Sequence, residues 1–407
     1  MSGRYIRRTI EPVLGKAVRE FPAVVLTGPR QAGKTTLLKH MFGESYDYVS
    51  MELPDVRLAA SVDPRGFLSM HAPPVIFDEV QYAPGLLLYI KEHIDSMRSK
   101  KGLFILTGSQ NLLLVKHISE SLAGRAAVLR LLPLSFHELK GNPDAPLPWE
   151  TDGMTGRSVA EPYLELWKRF LRGEYPELVA EPERDIALWH SSYVQTYLER
   201  DIRGLRQIGD LTMFQNFLRA LAARCAGLVN LTELARDIGV AVNTIRAWLS
   251  IMEATFQIII LHPYFNNIGK RLVKTPKIYF MDTGTLCHLV ALKDPEHAAQ
   301  GPMNGAIFET AVVSEIIKAF VHRGVEPQIY FWRTTTGTEV DIVVETEGRL
   351  VPIEVKLSAT PDPSMAYGIN AFKKDFGKKA AGGYVVYPGD IRLPLAPDTI
   401  ALPLSDL

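Results

Sequence analysis

The sequence predicts a mixed α/β protein with a parallel-sheet core first, a helical middle, and a second α/β unit at the C-terminal end. Three observations carry that expectation. Residues 22–140 alternate short apolar runs with amphipathic stretches, the pattern of a parallel sheet with helices on both faces. Residues 161–260 are mostly helical by periodicity. From residue 301 strand-like runs return. A chain of 407 residues exceeds one typical core, so two to three domains are expected.

In the first unit AVVLTG (23–28), YDYVSM (46–51), PVIFDE (74–79), LFILTG (103–108) and AVLRLLPL (127–134) read as strands, with KTTLLKHMF and LLLYIKEHIDSMRSK as helices between them. The Pro/Gly-rich stretch 141–156 reads as a linker or excursion loop. LWHSSYVQTYLERDIRGL is the clearest helix of the middle. Residues 231–259 have a helix-turn-helix rhythm. Leu231, Leu234, Ala235 and Ile238 form one apolar face, Gly239 marks the turn, and Ile245, Trp248 and Leu249 face inward from the second helix. FQIIILHPYF and TPKIYFMD, around NNIGKRLVK, then read as the wing of a winged helix. After 301 the order is a helix (FETAVVSEIIKAF), strands QIYFW, EVDIVVE and LVPIEVK, a helix (YGINAFKKDFGKKA) and a strand, GGYVVYP. The expected segments are 1–140, a linker and helical lid at 141–198, a helical or winged-helix unit at 199–295, and 296–407.

Composition excludes some classes. Formal net charge is zero, so no global field favours nucleic acid or membrane. The two cysteines, Cys225 and Cys287, are far apart, against a disulfide framework or a zinc site. No apolar run is long enough for a transmembrane helix. The opening MSGRYIRRTIEP lacks a following apolar h-region, so the expectation is a cytoplasmic protein without signal peptide or membrane partner.

The most specific motif is GPRQAGKT. It fits G-x-x-x-x-G-K-[ST] between a strand and a helix, the context a phosphate loop requires. Gly28, Pro29, Arg30, Gln31, Ala32 and Gly33 supply backbone N–H groups to phosphates. Lys34 supplies a point charge to the β- and γ-phosphates, and Thr35, followed by Thr36, a hydroxyl to Mg2+. PVIFDEV ends a strand in two acids. Asp78 is placed for the magnesium, and Glu79 to orient or deprotonate an attacking water. Without an N-K-x-D signature, ATP is favoured over GTP. LFILTGSQN offers Ser109 or Gln110 as a γ-phosphate sensor, if its strand lies between the phosphate-loop strand and the acidic strand. Arg125 is a candidate arginine finger, in cis or across a subunit interface.

Together, TGPRQAGKTTLL, IFDEVQ, LTGSQ and SLAGRAAVLRLLPLSF resemble a prokaryotic AAA-type ATPase family whose members carry a C-terminal domain of unknown function. RGEYPE (172–177) and YLERDI (197–202) fit the same resemblance, which spans nearly the whole chain. It implies an ATP-binding core, a helical middle and an end similar to restriction-endonuclease-like folds. An AAA-type core often forms rings, so a homo-oligomer is an open expectation.

Between Glu199 and Asp282 there are 11 Lys/Arg against 7 Asp/Glu. A DNA reading puts Thr244 and Arg246 in a groove and Lys270, Arg271 and Lys274 on phosphates; a packing or protein-interaction module is the alternative. In TEVDIVVETEGRLVPIEVK, alternation puts Glu339, Asp341 and Val343 on one strand face, and Glu354 and Lys356 on one face of the next. Asp341 and Glu354, with Glu309 from the preceding helix, form a candidate site for a second divalent metal, with Lys356 beside it. The order resembles the PD-(D/E)xK nuclease superfamily, and Lys373, Lys374, Lys378 and Lys379 would suit a phosphate rim. A merely solvated face stays open. Two functions follow: an ATP-driven motor or switch acting on DNA, with or without cleavage, and an ATP-dependent switch whose C-terminal domains bind a protein partner. A small-molecule kinase is weaker, since Glu79 suits water activation.

Overall fold

The computed structural model describes residues 5–97, 99–108, 121–151, 156–158, 161–198, 211–265 and 275–407. Five strands near the N-terminus, β1 (Ala23–Thr27), β2 (Asp47–Ser50), β3 (Val75–Asp78), β4 (Phe104–Gly108) and β5 (Ala126–Arg130), form a parallel sheet ordered β2-β3-β4-β1-β5. β1, β3 and β4 are buried throughout, as parallel strands covered on both faces must be. Val25, Phe77 and Leu106 pack with Leu86, Ile90 and Ile94 of helix Leu86–Ser96. On the other face, Val24, Leu26, Ile76 and Ile105 pack with Leu14 of helix Glu11–Glu20 and Leu37 of helix Lys34–Phe42. β4 does lie between the phosphate-loop strand and the acidic strand. The fifth strand stops at Arg130, short of the expected run to 134.

The stretch expected as a linker contributes a short strand, β6 (Gly156–Arg157). Helices Tyr163–Arg172, Pro176–Ala180 and Ile186–Tyr193 follow, the last passing into a wider π turn at Val194–Leu198. Helix Leu211–Ala222 precedes the pair Leu231–Ile238 and Val242–Ala254, joined through Gly239 as the helix-turn-helix rhythm predicts. Asn230 caps the first of the pair through Oδ1 to the Thr232 and Glu233 N–H groups. Strands β7 (Ile258–Leu261) and β8 (Lys277–Phe280) then pair antiparallel. Ser109, Gln110, Lys270, Arg271 and Lys274 lie outside the described residues.

Helix Asn304–Val321 leads into β9 (Ile329–Arg333), β10 (Glu339–Thr346), β11 (Arg349–Val355), β12 (Gly383–Tyr387), β13 (Ile391–Ala396) and β14 (Thr399–Pro403). With β6 these form one mixed sheet ordered β6-β13-β14-β12-β11-β10-β9. β10 and β11 pair antiparallel about Glu347-Gly348, while β11 runs parallel to β12 after helix Tyr367–Phe376. One core joins middle and end: Trp167 and Phe170, Phe308 and Val312, and Ile342 and Ile353 belong to the same cluster. Among the described residues no helix is long and apolar enough to cross a membrane.

Candidate active site and the C-terminal carboxylate cluster

Leaving β1, the chain must turn before helix Lys34–Phe42 can start. Gly28 makes that turn at φ 149°, and a Cβ there would fall 2.0 Å from the Leu131 carbonyl oxygen. Gly33 caps the helix at φ 90°. Both conformations favour glycine. The first N–H groups of the helix have no partner within it and, with the helix dipole, suit an anion. Lys34 is 6% exposed, and its Nζ donates to the carbonyls of Gly28 and Pro29, each at 2.9 Å. The ammonium is thus held inside the loop.

Thr35 Oγ1 donates to Asp78 Oδ2 at 2.9 Å. Asp78, buried at the end of β3, also accepts from the Tyr48 hydroxyl at 2.5 Å and from Thr107 Oγ1. Three hydroxyls therefore fix this carboxylate beside Thr35. A hard dication takes oxygen ligands, and these two side chains supply them together. Glu79 sits at φ 56°, its N–H 3.3 Å from Thr107 Oγ1 and its carboxylate accepting from Gln81 Nε2. Tyr48 belongs to no motif, and Thr107, though inside LTGSQ, is not one of the sensor residues expected there. They reach Asp78 because β2 and β4 flank β3, a strand order that local pattern does not reveal.

A cavity of 590 Å³ opens on the loop, lined by Arg8, Arg30, Lys34, Thr35 and Glu79 and, from far along the chain, by Pro176 and Glu177. Its volume is in the range of small-ligand sites, and its lining suits a magnesium nucleotide. RGEYPE thus forms a wall of the candidate site. It is pinned by the Leu134 N–H to Glu174 O at 2.9 Å and the Glu174 N–H to Asp282 Oδ1 at 2.8 Å. Arg125 is not among the residues lining the cavity. Its Nε lies 2.7 Å and its Nη2 3.0 Å from the two oxygens of Asp95.

At the C-terminal sheet, Lys356 Nζ lies 3.0 Å from Glu354 and 4.0 Å from Asp341. Asp341 Oδ2 also accepts the Val355 N–H at 2.9 Å. Three of the four expected residues therefore converge. Glu309 lies beside them together with a residue that sequence reasoning missed. Lys277 on β8 places its Nζ 3.2 Å from Glu309, 2.5 Å from Glu339 and 3.8 Å from Asp341. Tyr279 donates its hydroxyl to Glu309 at 2.6 Å. Burial alone would lower the Lys277 pKa; Glu309, Asp341 and Glu339 hold it above the usual lysine range. Burial, then Asp341, pushes both Glu309 and Glu354 upward. Among the described residues no group of three His, Cys, Asp or Glu side chains is disposed to hold one metal ion. Of the donor set expected to take a second divalent metal, Glu309 and Asp341 are instead paired with a cation of the chain itself, Lys277.

Strict alternation also fails at this point. The β9–β10 register shifts between Val340 and Val343. Val340 and Val343 pack in one cluster and Ile342 and Val344 in another, so Val343 does not share a face with Asp341 as expected. Lys373, expected on a phosphate rim, donates instead to the carbonyls of Pro397 and Asp398; Lys374, Lys378 and Lys379 are exposed. Arg246 is exposed and Thr244 half-buried on the second helix of the pair.

This loop, strand order and acidic strand end define a P-loop ATPase domain of the AAA type, and residues 20–140 match a family described as an AAA domain. Residues 163–296 and 304–407 match two domains of unknown function, DUF8612 and DUF4143. The chain is 32% identical over 407 residues to the uncharacterized protein Rv2008c of Mycobacterium tuberculosis, covering 98% of this chain and 84% of that protein. The uncharacterized protein Mb2031c of Mycobacterium bovis matches to the same extent. The chain belongs to the family of these proteins. Among solved structures, the Walker-type ATPase PABY2304 of Pyrococcus abyssi is similar at 19% identity and a TM-score of 0.41, over 71% of this chain and 99% of that one. The RuvB Holliday junction branch migration motor of Thermotoga maritima is similar at 15% identity and 0.28, over 61% and 88%.

Proposed function

We propose that this protein is an ATP-hydrolysing switch that couples its nucleotide state to the C-terminal domain, and that this domain binds a protein partner and cuts nothing. Lys34 holds the β- and γ-phosphates, Thr35 and Asp78 hold the magnesium, and Glu79 orients and deprotonates the water. Magnesium, when bound, neutralises phosphate charge. Arg125 pairs with Asp95 of its own chain away from the cavity, so this reading gives it no part in turnover. The observation that carries the non-nucleolytic reading is Lys277, whose ammonium sits among Glu309, Glu339 and Asp341. An ammonium already seated among these carboxylates competes with a dication for them.

The test follows ATP turnover and nucleic-acid integrity in one reaction, with magnesium or manganese. Turnover abolished by Lys34→Ala, with DNA and RNA left intact, is the expected result. Metal-dependent cutting that Asp341→Ala and Lys356→Ala remove would restore the nuclease reading. One observation favours DNA as a second reading for the partner: Asn243, Arg246 and Ser250 form an exposed stripe on helix Val242–Ala254. Salt-sensitive DNA binding that raises turnover and is lost in Arg246→Ala would select it.

A further inference from the structure

Two buried polar lines leave the nucleotide cavity, and both end on helix Asn304–Val321 or its C-cap. The first begins at Arg8, which is 3% exposed and lines the cavity. Its Nη1 donates to the Ala32 carbonyl inside the phosphate loop at 2.9 Å, and its Nη2 to the Leu132 carbonyl at 2.7 Å. Its Nε lies 3.1 Å from Glu138 Oε2. Glu138 is itself buried; its other oxygen accepts the Thr9 N–H at 2.7 Å and lies 3.3 Å from His322 Nδ1. His322, the C-cap of the helix, accepts the Leu132 N–H on Nε2 at 3.1 Å. That bond makes Nε2 the acceptor, so the ring proton sits on Nδ1, facing Glu138. Leu132 is therefore gripped twice, its carbonyl by Arg8 and its N–H by His322. Burial alone would raise the Glu138 carboxyl; Arg8 and His322 hold it well below the usual carboxylate range.

The second line starts at the opposite wall. Two residues before Pro176, the buried Glu174 lies 3.7 Å from Lys318, which lies 2.8 Å from Glu315. Glu315 accepts the Phe136 N–H at 2.5 Å. Glu315, Lys318 and His322 are spaced three and four apart, so they share the face turned to the ATPase domain. Charged and polar groups buried in an otherwise apolar helix are costly unless paired, and here each meets a partner across the domain boundary or a neighbour that does. The same helix carries Glu309, against Lys277.

We propose that Arg8 is a positioning residue for ATP hydrolysis and that, through Glu138 and His322, it ties the geometry of the phosphate loop to helix Asn304–Val321. The inference rests on the ATPase-switch reading and names its internal route. Any displacement of the Ala32 carbonyl must be met by Arg8, then by Leu132 and Glu138, then by His322. Interfaces packed this closely shift between discrete arrangements rather than deform smoothly.

The test uses the full chain with magnesium and a slowly hydrolysed ATP analogue, and reads amide exchange over 304–322 together with kcat and KM. In the wild type, nucleotide changes the protection of that helix. Arg8→Lys keeps the charge but cannot bridge Ala32, Leu132 and Glu138 at once. Its kcat should fall about 10-fold or more while KM changes little, since a small misplacement of the loop is enough, and its helix should no longer respond. His322→Gln, remote from the cavity, should bind and turn over ATP and lose only the helix response. Should Arg8→Lys fail to fold, His322→Gln decides alone. The proposal is overturned if wild type binds nucleotide with no change in the helix, if folded Arg8→Lys keeps wild-type kcat, or if His322→Gln responds as wild type does. A wild type that neither binds nor hydrolyses ATP would overturn the ATPase reading beneath it, and the proposal with it.

Discussion

At residue scale the charge balance of the carboxylate cluster rests on Lys277, which is 5% exposed and within 4 Å of three carboxylates. Lys277→Met removes the cation and leaves buried acids unpaired, which should cost about 3–5 kcal/mol of unfolding free energy in urea titrations. Adding Glu309→Gln and Glu339→Gln should recover most of it, because the destabilisation lies in the charges left behind. A midpoint equal to that of the wild type would mean the cluster is solvated, and would remove the basis of the non-nucleolytic reading. The acids themselves were legible in the sequence. Asp341 sits in an apolar strand run, Glu354 and Lys356 are two apart, and the Glu347-Gly348 turn brings the strands together. Lys277 was not legible, because it comes from β8, whose run reads locally as the edge of a wing. Its approach to the C-terminal sheet is a long-range contact with no local signature.

At the scale of elements, periodicity found β1 to β5 and β7 to β12, including runs with single interruptions such as Asp341 in β10 and Pro352 in β11. It missed β13 and β14, where IRLPLA and TIALP carry proline and follow the turn-like stretches Pro388-Gly389-Asp390 and Pro397-Asp398, features that argue against a strand when only local pattern is read. It also missed β6, which has two residues and gains its pairing from β13. The bulge in β10 was hidden for a related reason: every residue still fits a strand, and only the partner β9 reveals the shift. Helix Tyr367–Phe376 meets the sheet through Gly368. A Cβ there would lie 2.2 Å from both the Glu339 carbonyl and Glu354 Oε1. Gly368→Ala should therefore destabilise by about 1–3 kcal/mol through overpacking, despite the better helix propensity of alanine. A more stable variant in thermal unfolding would show that the helix can lift off the strands without loss.

For the whole molecule, the junction of ATPase domain, middle and end holds titratable groups whose pH dependences oppose one another. Burial pushes the Glu174 carboxyl from about 4.5 up to about 7, with Asp282 adding to the rise and Lys318 opposing it. Between those values the folded chain holds a proton that the unfolded chain has released. This contribution to stability is full below about 4.5 and is lost as pH rises through about 7. Burial lowers the His190 imidazole from 6.5 to about 4, so its contribution is full above 6.5 and is lost as pH falls through about 4. Each shift corresponds to about 3 kcal/mol, and over the shared window the two slopes largely cancel. Glu174→Gln removes one of them. The variant should melt higher than wild type above neutral pH, where the wild type holds a buried carboxylate. Its melting temperature should fall more steeply than that of wild type on acidification from 6.5 to 4.5, where His190 no longer has an opposing partner. Thermal unfolding followed across that range distinguishes the outcomes. Parallel profiles for the two proteins would mean that Glu174 ionises in the fold as it does in the unfolded chain, stabilised as an anion by Lys318.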